Sequence, residues 1–247
     1  MSSPRVAVFR PDDDRLTEAI DLLESLGVDP VADPMLAIEP TDETPQERAH
    51  FVVLTSKTGV ELLAETGWEP GDATLCCIGE ATAAAAREAG WEVDRVPQQY
   101  SSAGLVAELS DDVTGRMVVI ARSDHGSDVL LDGLRQAGAA VRETVIYRLV
   151  RPAESGRSTE LAAAGDLDGA LFTSSLTVEH FVEAADERGV RQEAIEGLNA
   201  AAVGTIGHPT RETAADYGIE VDVVPARADF EVLARDVVDL LAPAAEE

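Results

Sequence analysis

Lysine is almost missing from this chain: of 247 residues only Lys57 carries an ammonium, and every other cation is an arginine. Aromatic residues make up 4% of the chain, and cysteine occurs only at Cys76 and Cys77. With neither a basic patch nor interleaved aromatics, the sequence lacks what a nucleic-acid surface needs. Against 19 cations stand 47 carboxylates, a formal net charge of -28. The carboxylates are spread along the whole length. They read as adaptation to molar salt, where a Debye length of about 3 Å mutes self-repulsion, rather than as a cation-binding surface. No apolar run approaches the roughly 20 residues of a membrane-spanning helix, and the beginning of the chain does not read as a secretory signal. A cytoplasmic protein with no membrane partner is expected. Adjacent cysteines suit neither an ordinary disulfide nor a zinc knuckle, so both are expected as buried small hydrophobes.

Familiar reaction motifs are absent too. There is no phosphate loop ending in Gly-Lys-Ser/Thr, no Gly-x-Gly-x-x-Gly, no Gly-x-Ser-x-Gly elbow and no His-Glu-x-x-His. His50, His125, His180 and His208 have no ligand spacing and are expected on the surface or in loops. Asp12-Asp13-Asp14 is expected as a solvated run rather than a magnesium site. No metal is expected.

What the chain does contain is itself, twice. Ile78-Gly79-Glu80-Ala81-Thr82 returns as Ile206-Gly207-His208-Pro209-Thr210, and the register of 128 positions holds through Gly90/Gly218, Val93/Val221, Asp94/Asp222, Val96/Val224 and Pro97/Pro225. Leu54-Thr55-Ser56 is echoed by Phe172-Thr173-Ser174 at a spacing of 118, and Val6 to Arg10 by Val118 to Arg122 at 112. Such a period is too long for a solenoid and reads as a duplicated half, each large enough for one domain, so that two similar domains frame a cleft. The repeat alone suggests a split near Gly115.

Short apolar runs without polar alternation, at Val6 to Phe9, Phe51 to Leu54, Thr74 to Ile78, Met117 to Ile120, Ala170 to Phe172 and Ala200 to Val203, predict strands covered on both faces and so parallel sheets. Arg15 to Leu26 predicts a helix with Leu16, Ile20, Leu23 and Leu26 on one face; Ser127 to Ala137 predicts another with Val129, Leu130 and Leu134. Gly27 and Gly138 supply the stops. The fold class is α/β, with helices on both sides of a parallel sheet.

The repeated motifs fall where strands end and helices begin, the places where free amides point outward and bind anions. Ser and Thr there also serve simply as N-caps, and both readings stay open. Four such junctions, two per half, favour a ligand with several anionic groups.

In this order and spacing the motifs, with Tyr100 to Leu105, Val145-Ile146-Tyr147-Arg148 and Val221 to Pro225, resemble the uroporphyrinogen-III synthase family of tetrapyrrole biosynthesis along nearly the whole chain. The resemblance implies two similar Rossmann- or flavodoxin-like domains joined by a two-stranded linker. One holds residues 1–35 plus 152–247, the other is an inserted domain at 36–151, and the linkers lie near 35–40 and 147–152. It implies a lyase that takes hydroxymethylbilane, removes its terminal hydroxyl as water and closes the macrocycle with inversion of the last ring, without a cofactor. It also implies a monomer that receives its substrate from hydroxymethylbilane synthase.

The resemblance places Thr55, Ser56, Thr82, Ser101, Thr173, Ser174 and Thr210 against the substrate's carboxylates, with Arg10, Lys57 and Arg122 as nearby cations, or else as partners in structural salt bridges. Tyr147 stands where the family has a tyrosine that assists loss of the hydroxyl; a phenol carries its proton at neutral pH and can protonate a leaving oxygen. Packing of a linker tyrosine is the other reading. A non-catalytic two-domain protein that binds tetrapyrroles or small anions would share these features and would leave the product isomer unchanged.

Overall fold

A computed structural model of the chain describes residues 3–46 and 48–241. These fall into two compact units, one formed by the described residues up to Ala37 and from Val150 onward, the other by Ile38–Leu149. Gly115 lies inside the second unit, which corrects the simple split that the repeat suggests: the strand after it pairs with a strand before it.

The first unit is built on four parallel strands in the order β2-β1-β8-β9: β1 (Arg5–Phe9), β2 (Asp29–Ala32), β8 (Gly169–Phe172) and β9 (Ala202–Thr205). Alternate side chains serve opposite faces. Ala7 and Phe9, with Phe172 and Val203, bury against α7 (Ser175–Glu187), α8 (Arg191–Asn199) and α9 (His208–Asp216). Val6, Val8 and Leu171 bury against α1 (Asp14–Ser25) and α10 (Phe230–Leu241). This double covering is why the runs are apolar without alternation. Phe9, Phe172 and Phe181 interlock, with ring centroids 4.6 to 5.8 Å apart. The two stretches of chain that make this unit are tied by buried Asp33, whose carboxylate accepts hydrogen bonds from the amides of Gly156 and Ser158 and from the Ser158 hydroxyl, at the start of α6 (Arg157–Ala163).

The second unit has the order β3-β7-β6-β4-β5: β3 (Ala37–Pro40), β4 (Phe51–Leu54), β5 (Thr74–Cys77), β6 (Met117–Ser123) and β7 (Ala140–Val150). The β5-β4-β6-β7 ladders are parallel. α2 (Lys57–Glu65) and α3 (Glu80–Glu88) cover one face, α4 (Ser102–Leu109) and α5 (Asp128–Gln136) the other. Cys76 and Cys77 point into opposite layers of this sandwich, and burial pushes both thiols up to about 12.

Three local expectations are corrected. The strand read at Ala200 to Val203 begins at Ala202 and runs to Thr205, because Ala200 ends α8 and Gly204 belongs to the strand. A Cβ at Gly204 would come within 2.6 Å of Val237, so α10 lies flush on the sheet there. Val129 faces solvent, since the buried stripe of α5 is Leu130, Leu131 and Leu134 and position 129 lies about 100° off it. His180 is neither surface nor loop: it is buried on α7, its Nδ1 donating to the Met35 carbonyl. The stops at Gly27 and Gly138 have φ of 84° and 87°, the left-handed form a helix end takes most easily with glycine. In the acidic run Asp13 caps α1, and its hydrogen bonds to Arg15 hold its carboxyl below the usual range.

Candidate functional site

Parallel strands deliver their carboxyl ends to one edge of each sheet, and the repeated motifs sit there. In the second unit β4 ends at Leu54 and the chain continues through Thr55 to Ser56, whose extended backbone (φ -151°, ψ 150°) ends the strand and opens α2. The Ser56 Oγ accepts the amide of Gly59 at 3.0 Å. It accepts a second hydrogen bond, at 3.1 Å, from the hydroxyl of Tyr147 on β7. Tyr147 is 7% exposed. A cavity of ≈ 210 Å³ opens here, lined by Thr55, Ser56, Ser102, Arg122, Ser127 and Tyr147, among others. Tyr147 is the one phenol among its lining side chains, and among the described residues no carboxylate lines it.

Arg122 stands at the end of β6, where the register with β7 shifts and re-aims the strand. Its guanidinium is buried and each of its nitrogens has a partner: Nε donates to Glu143 at 2.5 Å, Nη1 to the Ser127 carbonyl at 2.7 Å, and Nη2 lies 3.5 Å from Asp128. A Cβ at Gly126 would meet this guanidinium at 2.5 Å, so the loop wraps closely around it. Arg122 therefore braces the cavity wall. Lys57 points outward and pairs with Glu61 at 3.2 Å.

The neighbouring junctions are of two kinds. Ser101 caps α4 through the Gly104 amide at 3.1 Å. Gly79 opens α3 with no side-chain cap, leaving the first-turn amides free, and Thr82 lies buried in that turn. Tyr100, 64% exposed, lays its ring beside Gly79, where any Cβ would meet it at 3.3 Å.

The first unit repeats this plan. Thr173 follows β8 and donates to the Phe9 carbonyl at 3.0 Å, and Ser174 caps α7 in a closed box with Thr177. Gly207 opens α9 uncapped, with buried Thr210 in its first turn. Arg10 lies 4.5 Å from the ring centroid of Phe230, and burial lowers its guanidinium pKa.

Thus Thr55, Ser56, Arg122 and Tyr147 share one cavity, Thr82 lies in the first turn of α3 and Ser101 caps α4, and Arg10, Thr173, Ser174 and Thr210 lie on the strand-end edge of the other unit. Sequence reading missed Gly59, although its contrast with Thr177 at the 118-residue register was visible. A larger hollow of ≈ 510 Å³ in the second unit presents Glu69, Asp72, Glu92 and Asp94, a charge that repels anions. Among the described residues no three His, Cys, Asp or Glu side chains converge as a metal cage.

Residues 17–235 match the model of the family described as uroporphyrinogen-III synthase HemD. A protein of Methanothermobacter thermautotrophicus, provisionally named as that synthase, is 34% identical over 90% of this chain and 92% of its own length. The uroporphyrinogen-III synthase of Chlorobaculum parvum is 23% identical over 66% of this chain and 65% of its own. Among solved structures, a mutant uroporphyrinogen III synthase of Thermus thermophilus superposes with a TM-score of 0.68 at 22% identity, covering 97% of this chain and 99% of that one. The Helicobacter pylori uroporphyrinogen-III synthetase does so with 0.61 at 13%, covering 96% and 99%. These two share the two-sheet α/β fold. The chain belongs to the uroporphyrinogen-III synthase family.

Proposed function

We propose that this chain cyclises hydroxymethylbilane to uroporphyrinogen III, with loss of water and inversion of the last ring, and that Tyr147 gives the departing hydroxyl its proton. The observation that carries the reading is the cavity at the strand ends of the second unit, which the Tyr147 phenol lines beside the Ser56 hydroxyl. A phenol so placed protonates a leaving oxygen as a general acid. The remaining task is conformational: the linear molecule closes unaided to the uninverted isomer, so the protein must hold its ends in the arrangement that favours the inverted one.

The carboxylates of the substrate go to backbone amides. Gly79 and Gly207 leave the first turns of α3 and α9 uncapped, with Thr82 and Thr210 beside them. Thr55 and Thr173 stand next to the capped junctions of Ser56 and Ser174, and Ser101 opens α4. Arg10, Lys57 and Arg122 act mainly through the partners already named, so recognition by amides dominates. The reading extends to two Rossmann- or flavodoxin-like domains linked near 35–40 and 147–152. It further extends to a cytoplasmic monomer that works in molar salt and takes its substrate from hydroxymethylbilane synthase. Sheets dominated by parallel strands, and the charge of -28, support those extensions. No helix among the described residues is long and apolar enough to cross a membrane.

The test is a coupled assay in molar KCl. A separate deaminase supplies hydroxymethylbilane, and the products are oxidised and resolved as I and III isomers. Predominant type III supports the reading; type I alone from folded protein refutes it.

A further inference from the structure

Resting on the reading of Tyr147 as proton donor, we propose that Ser56 is its positioning residue, and that the two hydroxyls form a reversible relay for which Gly59 makes room. A serine hydroxyl has one proton and two acceptor sites. The Gly59 amide can only donate, and at 3.0 Å it occupies one acceptor site for good. One site and one proton remain to be shared with Tyr147, 3.1 Å away. Two arrangements satisfy this. In one the phenol donates to Ser56, whose proton turns to the cavity. In the other Ser56 donates to the phenol oxygen, and the phenol proton faces the cavity. The amide anchors Ser56 in both, so exchange needs only rotation of two O–H bonds.

The duplicate junction shows what the relay replaces. At the 118-residue register Gly59 corresponds to Thr177. Ser174 Oγ accepts the Thr177 amide at 3.2 Å, while Thr177 Oγ1 bonds back to the Ser174 amide and carbonyl at 3.3 and 2.7 Å. That cap is closed on itself. A Cβ at Gly59 would stand 3.1 Å from Ser56 Oγ and 3.9 Å from Tyr147 Cε1, so a threonine there would compete with the phenol. Glycine leaves the cap open, and the phenol enters through the opening.

In the reaction the Tyr147 proton passes to the substrate hydroxyl. The C–O bond breaks with its electron pair on oxygen, water departs, and the pyrrole nitrogen lone pair fills the deficit at carbon. The phenoxide left behind accepts the Ser56 proton as a hydrogen bond, beside the first turn of α2, whose dipole favours negative charge. The proton released when the ring closes restores the phenol.

A double-mutant cycle on the full chain tests the relay, with wild type, Ser56→Gly, Tyr147→Phe and the double variant compared in kcat, KM, product isomer and melting temperature. Glycine caps nearly as well as serine, so folding is retained while the hydroxyl is lost. Ser56→Gly is expected to lower kcat roughly tenfold with KM held, and to add nothing once Tyr147 is phenylalanine. Ser56→Thr, which keeps a hydroxyl on the same carbon, recovers most of the rate, and Gly59→Thr folds but lowers kcat as Ser56→Gly does. Equal losses in both backgrounds, or a loss confined to KM, overturn the relay and leave Tyr147 as donor. Absence of type III product from folded wild type overturns the functional reading and the relay with it.

Discussion

In each unit an apolar strand runs into a Thr-Ser pair whose serine caps the next helix, yet the third helical residue is Gly59 in one and Thr177 in the other. The first cap receives a tyrosine from another strand; the second satisfies itself. The matched glycine junctions differ in the same sense. Gly79 is crowded by Tyr100, whereas a Cβ at Gly207 would meet nothing nearer than Pro209 at 3.9 Å. Where the backbones agree and the surroundings do not, function is the more economical explanation than folding. The parts that agree most closely carry structure: Asp94 accepts the Leu75 amide at 2.7 Å and Asp222 the Val203 amide at 2.8 Å, each closing an isolated bridge beside its sheet.

The largest effect that would sharpen this contrast is on Tyr147→Phe. It is expected to slow formation of type III product about 100-fold or more while leaving the melting temperature nearly unchanged, as one general acid contributes at least that much. A fully active variant would place the second unit on the same footing as the first. Next come Gly79→Ala and Gly207→Ala, compared by urea unfolding. The methyl at 79 must displace the Tyr100 ring and should cost about 1 kcal/mol more than the methyl at 207. Equal costs would erase the difference between the two junctions. Asp94→Ala and Asp222→Ala, by contrast, should match: each loses about 1 kcal/mol, a charged hydrogen bond discounted for exposure, and a wide gap between them would break the duplication energetically.

The smallest effect at neutral pH belongs to the thiols, which only the second unit has. Burial raises both from 9.0 to about 12, so the buried neutral form is favoured. With the folded value above the unfolded one, their contribution to stability is complete below about pH 9 and is lost as pH climbs toward 12. A thiol reagent at pH 8 should label neither cysteine until urea is added, and rapid labelling of native protein would contradict their burial.

The strands and their doubly covered faces were legible because burial on both sides leaves a local signature of unbroken apolar residues. Ser56, Ser101 and Ser174 were legible as caps for the same reason, since an N-cap is written in neighbouring residues. The cavity was less so. Tyr147 and Ser56 are 91 residues apart, and nothing local to either announces that their hydroxyls meet. Arg122 reads in sequence equally as a substrate-side cation or a salt-bridge partner, and only the fold brings Glu143 and the Ser127 carbonyl against it. The split near Gly115 failed because a repeat reports ancestry, whereas the sheet decides which strands share a body.

Synthesis and pairing run in different orders in the first unit. β1 leaves the ribosome well before β8, one of its neighbours, with Val6 opposite Gly169. Asp33 likewise waits for Gly156 and Ser158. The intervening unit can complete its own sheet while the opening strand is still without its partner. β1 is therefore completed only after the whole inserted unit has been made. During translation its bare apolar edge is exposed for as long as it takes to make the residues between them, which is the interval in which a nascent chain of this design most needs protection from aggregation.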